Sequence, residues 1–265
     1  MKKLFIIMAA VTMLFVSCKK DKKDNPVVPT PTIAEQLVGK WLDVEEDGLP
    51  IESALSSVTT FVMEGSTLKA YTSQSSQLFD FWGYKYPTDV QIDGNNVILT
   101  LEKDNLKTVE ELSDITVIGD DLVYTSMYTA FIDGEAVVDF GPNEVRCVRV
   151  RDDFSQIIPG RWEGTVTSDE PGFEPMPFCE KYLADGTNIE YELIDGQWVE
   201  KETVYAEYFI DGILMCTRWQ YPECEEEREN CVLVSYVDNT MIVKEKVMRD
   251  GQIYTQTSTL TKVSE

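Results

Sequence analysis

Histidine is absent from this 265-residue chain. Without imidazole there can be no Ser-His-Asp or Cys-His catalytic unit, no His-ligated zinc and no imidazole pH switch. Chemistry built on paired carboxylates survives, because glycoside hydrolysis needs only Asp and Glu. Positive charge is also scarce. Lys and Arg number 23 against 47 Asp and Glu, a net charge of −24, which argues against nucleic acid as a partner because its phosphates require a basic surface. Long apolar runs are missing as well. The stretch from Leu4 to Val16 has 13 residues, short of the ~18 to 20 needed to span a bilayer.

That stretch follows Lys2 and Lys3, as the apolar core of a secretory signal does, and ends Leu14-Phe15-Val16-Ser17-Cys18. A small residue directly before a cysteine resembles the lipobox of bacterial lipoproteins. The resemblance implies that residues 1–17 are a signal peptide and that Cys18 carries the lipid. Several acyl chains anchor stably where one binds only marginally, at ~0.8 kcal/mol per buried methylene. The alternative is an ordinary signal peptide with an incidental cysteine. Residues 18–32 are Lys-rich, then punctuated by Pro26, Pro29 and Pro31, a solvated and flexible tether. The implied address is the outer membrane. In Bacteroidetes-type lipoproteins, acidic residues soon after the cysteine favour the cell surface. Here Lys19 and Lys20 precede Asp21 and Asp24, so the periplasmic face and the cell surface both stand.

Leader and tether together hold six of the basic residues and two of the acidic ones, so residues 33–265 carry −28. Such a body is soluble and repelled by phosphate-rich surfaces.

Within that body the chain repeats itself. Gln36-Leu37-Val38-Gly39-Lys40-Trp41 reappears as Gln156-Ile157-Ile158-Pro159-Gly160-Arg161-Trp162, with the tryptophans 121 positions apart. The ends correspond too: Ile115 to Val150, turning at Gly119-Asp120 and Asp133-Gly134, parallels Leu233 to Val263, turning at Asp238-Asn239 and Asp250-Gly251. Two domains follow, 33–152 and 153–265. Asp-Gly occurs at 47, 93, 133, 185, 195, 211 and 250, mostly between alternating runs, and supplies the positive φ angles of two-residue hairpins. Val97, Leu99 and Leu101 share a face opposite Asn96, Ile98, Thr100 and Glu102. Helical pattern is nearly absent; Lys107 to Leu112 could form one turn. The expected fold is all-β: two consecutive antiparallel up-and-down barrels of about eight strands each, with a β-sandwich as the alternative.

A Gly-x-Trp opening the first strand after a short apolar turn resembles the lipocalin-like (calycin-type) barrels, and in particular the tandem lipocalin-like lipoproteins of Bacteroidetes. In that family the tryptophan closes one barrel end and a basic residue of the last strand packs across it. The resemblance therefore pairs Trp41, after Gly39, with Arg149, and Trp162, after Gly160, with Lys262. These are structural residues, each pair contributing ~0.5 to 2 kcal/mol as a cation–π contact.

Candidate site residues remain. Asp43, Glu45, Asp47 and Gly48 begin like a calcium loop, but Ala54 stands where the bidentate glutamate belongs, so no metal is expected and a polar hairpin is the reading. Glu225 to Glu229 reads as a solvated acidic loop. Five cysteines follow Cys18. Cys224 and Cys231 flank that acidic run and are candidates for a disulfide. Cys179 could then meet Cys216, but four cysteines permit three pairings and the sequence does not choose among them; Cys147 reads as an inert buried thiol. Phe79, Phe81, Trp82, Tyr84 and Tyr86, with Trp219 and Tyr221 in the second copy, are candidate ligand-contact aromatics. The competing reading places them in the barrel filling or in the seam between barrels.

The functional expectation is a non-catalytic, lipid-anchored envelope protein that binds a small apolar ligand or a glycan and needs no cofactor. The alternative is a structural module with filled barrels that presents a surface to an envelope partner, its identity unknown. A carboxylate-pair glycoside hydrolase comes third, since no particular pair of acids stands out.

Overall fold

The computed structural model describes residues 31–264 except Leu78. The expected signal peptide, Cys18 and most of the expected tether lie outside the described residues.

A short helix α1 (Ile33–Leu37) opens the fold, capped reciprocally by Thr32 and Glu35. Nine strands follow: β1 (Gly39–Glu46), β2 (Leu49–Pro50), β3 (Ser57–Glu64), β4 (Thr67–Ser76), β5 (Phe81–Asp93), β6 (Asn96–Lys103), β7 (Leu106–Ile118), β8 (Asp121–Ile132) and β9 (Glu135–Arg149). Strands β2 and β3 both pair antiparallel with β1, each later strand pairs with its predecessor, and β9 returns to β1 in a ladder from Trp41↔Arg149 to Glu46↔Val145. With two-residue β2 as an appendage of β1, the other eight strands form a closed barrel, which has no free edge.

The second copy supplies β10 (Gly160–Ser168), β11 (Met176–Tyr182), β12 (Asn188–Ile194), β13 (Gln197–Glu200), β14 (Tyr205–Asp211), β15 (Leu214–Gln220), β16 (Glu226–Val237), β17 (Thr240–Arg249) and β18 (Gln252–Val263). Its sheet runs β13-β12-β11-β10-β18-β17-β16-β15-β14 and is a half-barrel. Strands β11 to β13 have 7, 7 and 4 residues, and no ladder joins β13 to β14. A single bridge, Thr187↔Glu207, spans the gap, supported by the Tyr208 N–H donating to Gly186 O at 2.8 Å.

The turns at Gly119-Asp120, Asp133-Gly134, Asp238-Asn239 and Asp250-Gly251 join β7–β8, β8–β9, β16–β17 and β17–β18. Two local expectations fail. Lys107 to Leu112 is strand, because β6 and β8 hydrogen-bond it from both sides. The acidic run Glu225–Glu229 is largely β16, held in register with β15 from Gln220↔Glu226 onward.

Inward residues fill the α1 end of the barrel: Leu37, Trp41, Phe61, Val97, Leu112 and Leu122 are buried together. Phe154, Ile158, Trp162, Leu233 and Met241 do the same in the second copy. Between the two sheets lies a shared core. Leu42, Val58 and Val150 point out of the barrel and meet Leu214 and Cys216, with Trp82 and Phe209 beside them. Polar pins flank this seam. Lys40 pairs with Asp211, which is 1% exposed and also accepts from Ser73 Oγ at 2.6 Å. Arg228 donates to the carbonyls of Ser76 and Phe81 at 2.8 and 2.9 Å. Residues from Pro31 onward thus form one compact unit.

Candidate functional site

The end of the barrel away from α1 is hollow. A cavity of about 310 Å³ opens there, lined by Ser57, Thr72, Thr88, Leu99, Leu101, Ser126, Tyr128 and Phe140 among others. A smaller pocket of about 30 Å³ lies deeper, against Trp41, Phe61 and Leu122. Asp43, Glu110 and Tyr124 line both. The larger volume falls at the lower end of the range for small-molecule sites.

The pleat explains how acids come to point inward. Trp41 and Asp43 face the barrel interior while Leu42 faces the seam. A register shift between Asp43 and Glu45 then breaks the alternation. As a result Glu46 lines the cavity, whereas Glu45 turns outward to an ion pair with Arg146 at 2.9 Å. On β7, Leu112, Glu110 and Thr108 share the inner face; on β8, Leu122, Tyr124, Ser126 and Tyr128 do.

The carboxyls are held by neighbours. Asp43 accepts from Ser57 Oγ at 2.6 Å and from Cys147 Sγ at 3.1 Å. Glu110 accepts from Ser126 Oγ at 2.8 Å and Tyr124 OH at 3.4 Å. Burial raises the Asp43 carboxyl despite those bonds. Burial, reinforced by the charge of Asp43, pushes Glu110 up to about 7. Burial also raises the Tyr128 phenol to about 12 and holds Tyr124 and Cys147 well above their ordinary values. Near neutrality the cavity therefore offers hydroxyl donors, a carboxyl poised to lose its proton and apolar walls. Tyr128 and Phe140 stack at its mouth with centroids 5.1 Å apart.

The structure distributes the candidate aromatics. Phe79 lines the cavity. Phe81 is buried against Leu101 and Leu106, and the Tyr86 hydroxyl donates to Glu102 O at 2.8 Å. Trp82 and Tyr84 meet Phe209 at the seam, with ring centroids at 4.7 and 5.7 Å, and Arg218 lies 4.7 Å over Trp82. Trp219 faces the trough of the half-barrel alongside Met215. Tyr221 donates to Glu190 Oε2 at 2.5 Å.

At the plugged ends, Arg149 lies 4.0 Å over Trp41, and Lys262 lies 5.4 Å from Trp162. Each indole N–H donates four residues back, to Leu37 O at 2.8 Å and Ile158 O at 2.7 Å. A Cβ at Gly39 would come within 2.1 Å of Arg149, and one at Gly160 within 2.5 Å of Lys262.

The cysteine pairing does not form. Cys147, Cys179, Cys216, Cys224 and Cys231 are free thiols. Cys224 is exposed in the turn before β16, while Cys231 lies in the core of the second copy. They follow one another along one arm of the hairpin instead of facing across it. Cys216 sits in the seam, and Cys179 lies beside Arg161. The residues of the calcium-like pattern diverge as described, and among the described residues no cluster of acids and cysteines could hold a metal.

Asp43 entered the sequence reading only as part of a failed calcium pattern, and Glu110, Tyr124, Tyr128 and Phe140 did not enter at all. Their signal was present as polar residues at inward positions: Glu110 lies two residues before buried Leu112, and Ser126 and Tyr128 follow Leu122 and Tyr124 in step.

No protein-family model matches the sequence, and no curated protein does. Among solved structures the chain is similar to a protein of unknown function of the DUF3598 family from Nostoc punctiforme, at 11% identity. That likeness covers 87% of this chain and 98% of the other, with a TM-score of 0.22.

Proposed function

We propose that this chain is a non-catalytic, lipid-anchored envelope protein of the tandem lipocalin-like kind, whose first barrel binds a small molecule with an apolar body and hydrogen-bonding groups. The observation that carries the reading is the hollow end of the closed barrel, where a 310 Å³ cavity holds Asp43, Glu110, Tyr124 and Tyr128 among apolar walls. Small closed barrels are either filled by side chains or hold one small ligand, and this one is filled at only one end. A cavity of this size favours a ligand of one or two rings, or a monosaccharide, over a long lipid chain.

The test is displacement of the neutral dye N-phenyl-1-naphthylamine by panels of apolar compounds and glycans, with native mass spectrometry of the purified protein. Thr72→Phe, which fills the cavity from a buried position, should abolish dye binding in a protein that keeps its β-sheet circular dichroism. Equal dye binding by the variant, or no ligand in either assay, would overturn the reading in favour of a module that acts through its surface. Hydrolysis of a glycoside that disappears in Glu110→Gln would instead move the cavity into the glycosidase class. For the anchor, Cys18→Ala should release the protein into the soluble fraction; unchanged membrane partitioning would refute lipidation.

A further inference from the structure

The half-barrel holds a second concentration of acids, unrelated to the first cavity. Glu180 on β11 and Glu190 on β12 are direct cross-strand partners, as are Tyr182 and Asn188 one pleat further on. All four share the inner face with buried Trp162. Glu229 on β16 and Glu245 on β17 face the same trough and hydrogen-bond to each other. Glu229 keeps contact with solvent, so the trough is open.

Many polar atoms here lack partners. Glu190 is 7% exposed and Asn188 is 5% exposed. Yet Glu190 Oε1, Glu180 Oε2, both amide atoms of Asn188 and the Trp219 indole N–H bond to nothing. The other Glu190 oxygen is occupied, accepting from Tyr221 at 2.5 Å and from Lys201 Nζ at 3.1 Å. Buried polar groups in folded proteins are almost always satisfied. Five unpartnered polar atoms, on four residues of the inner face, therefore mark a place where something else supplies the partners. Three of these five atoms, the two carboxyl oxygens and the Asn188 carbonyl, are acceptors once the acids are ionised and call for a group that donates several N–H or O–H bonds, whereas the Asn188 amide N–H and the Trp219 indole N–H are donors. Four carboxyls in the same trough favour a cation, and an indole face is the aromatic surface that holds cations best. A metal ion is disfavoured, because among the described residues no group of acids has metal-ligating geometry.

We propose that the trough of the second half binds a small alkyl diamine or polyamine, its ammonium groups held by Glu190, Glu180 and Asn188 on one wall and by the Glu229–Glu245 pair on the other, against Trp219. Diamines carry three donors at each end and an apolar spacer that suits an indole wall. Burial holds Glu180 and Glu245 at about 8, so a bound ammonium also replaces the protons that these groups otherwise keep.

The test is isothermal titration of the full protein with putrescine at about pH 9, with 1,4-butanediol and calcium chloride as comparison ligands. Putrescine should bind one to one. The affinity should fall at least tenfold in Glu190→Gln and in Glu245→Gln, each isosteric with a protonated acid, and should not change in Glu135→Gln on the exposed surface. Quenching of indole emission on titration should disappear in Trp219→Phe. No heat with putrescine, equal binding of butanediol, stoichiometric displacement by calcium, or unchanged affinity in both glutamine variants would each overturn the proposal. Should Glu190→Gln not fold, Glu245→Gln and the Trp219 emission decide alone.

Discussion

At the scale of single residues, the two Gly-x-Trp motifs and the inward acids behave in opposite ways. Trp41 and Trp162 are 1% and 0% exposed, satisfy their indole N–H groups and carry a cation on one face. Trp41→Ala should lose about 3 to 5 kcal/mol through the cavity it leaves, measured as the urea midpoint. Gly39→Ala should also destabilise the protein, since φ is +143° there and Arg149 occupies the Cβ position. Glu110 works against folding. Its carboxyl sits near 7 in the folded protein against ~4.3 when unfolded. The folded state therefore binds the extra proton between those values, so the stabilising proton is fully present below the unfolded value and lost as pH rises through about 7. Stability should fall by about 2 kcal/mol between pH 5 and pH 8, after allowing for solvent in the cavity. Glu110→Gln should flatten that slope in urea titrations at the two pH values. Thiols provide a separate check. Burial raises Cys147, Cys216 and Cys231 well above the ordinary thiol value, so among the described cysteines only exposed Cys224 should react quickly with Ellman's reagent in the native protein.

At the scale of elements, β16 shows what alternation does and does not reveal. Its inward residues, Glu229, Cys231 and Leu233, line the trough and core, while Arg228 and Asn230 point the other way. That outer face meets the first barrel: Arg228 reaches Ser76 O and Phe81 O, and Asn230 Nδ2 donates to Ser75 O at 3.0 Å. The run Glu225–Glu229 reads as a loop because like charges repel, and yet its arginine is buried to 6% exposure. Arg228→Ala should cost about 3 kcal/mol by leaving two carbonyls without a donor, read from thermal unfolding. Hairpin positions were legible, since Asp-Gly and its relatives act through local φ preferences. Whether an inward position holds Leu or Glu depends on what stands across the barrel, and β1 makes this plain. Its bulge sends Glu46 inward and Glu45 outward, which no two-residue period anticipates.

At the scale of the whole molecule, the duplicated halves have diverged: one is a closed barrel with a hollow end, the other an open half-barrel. Their shared core and the Lys40–Asp211–Ser73 pin tie them together. The protein should therefore unfold in one calorimetric transition, with van't Hoff and calorimetric enthalpies equal. Asp211→Ala, which strips Lys40 and Ser73 of a buried partner, should lower the midpoint or split the transition. Two transitions in the unaltered protein would show that the seam is weak.

The sequence alone determined the all-β class, the duplication, the hairpin turns and the positions of the plugging tryptophans. Each of these rests on local backbone preference or on a repeat visible in one dimension. Only the tertiary structure decided that the second sheet stays open, that the cysteines remain apart and that Trp82 and Tyr84 lie at the seam. It also decided that Asp43 and Glu110, 67 positions apart, share one cavity. Closure, burial and proximity depend on strand length and on which faces meet across a barrel, and those distances exist only after the chain has folded.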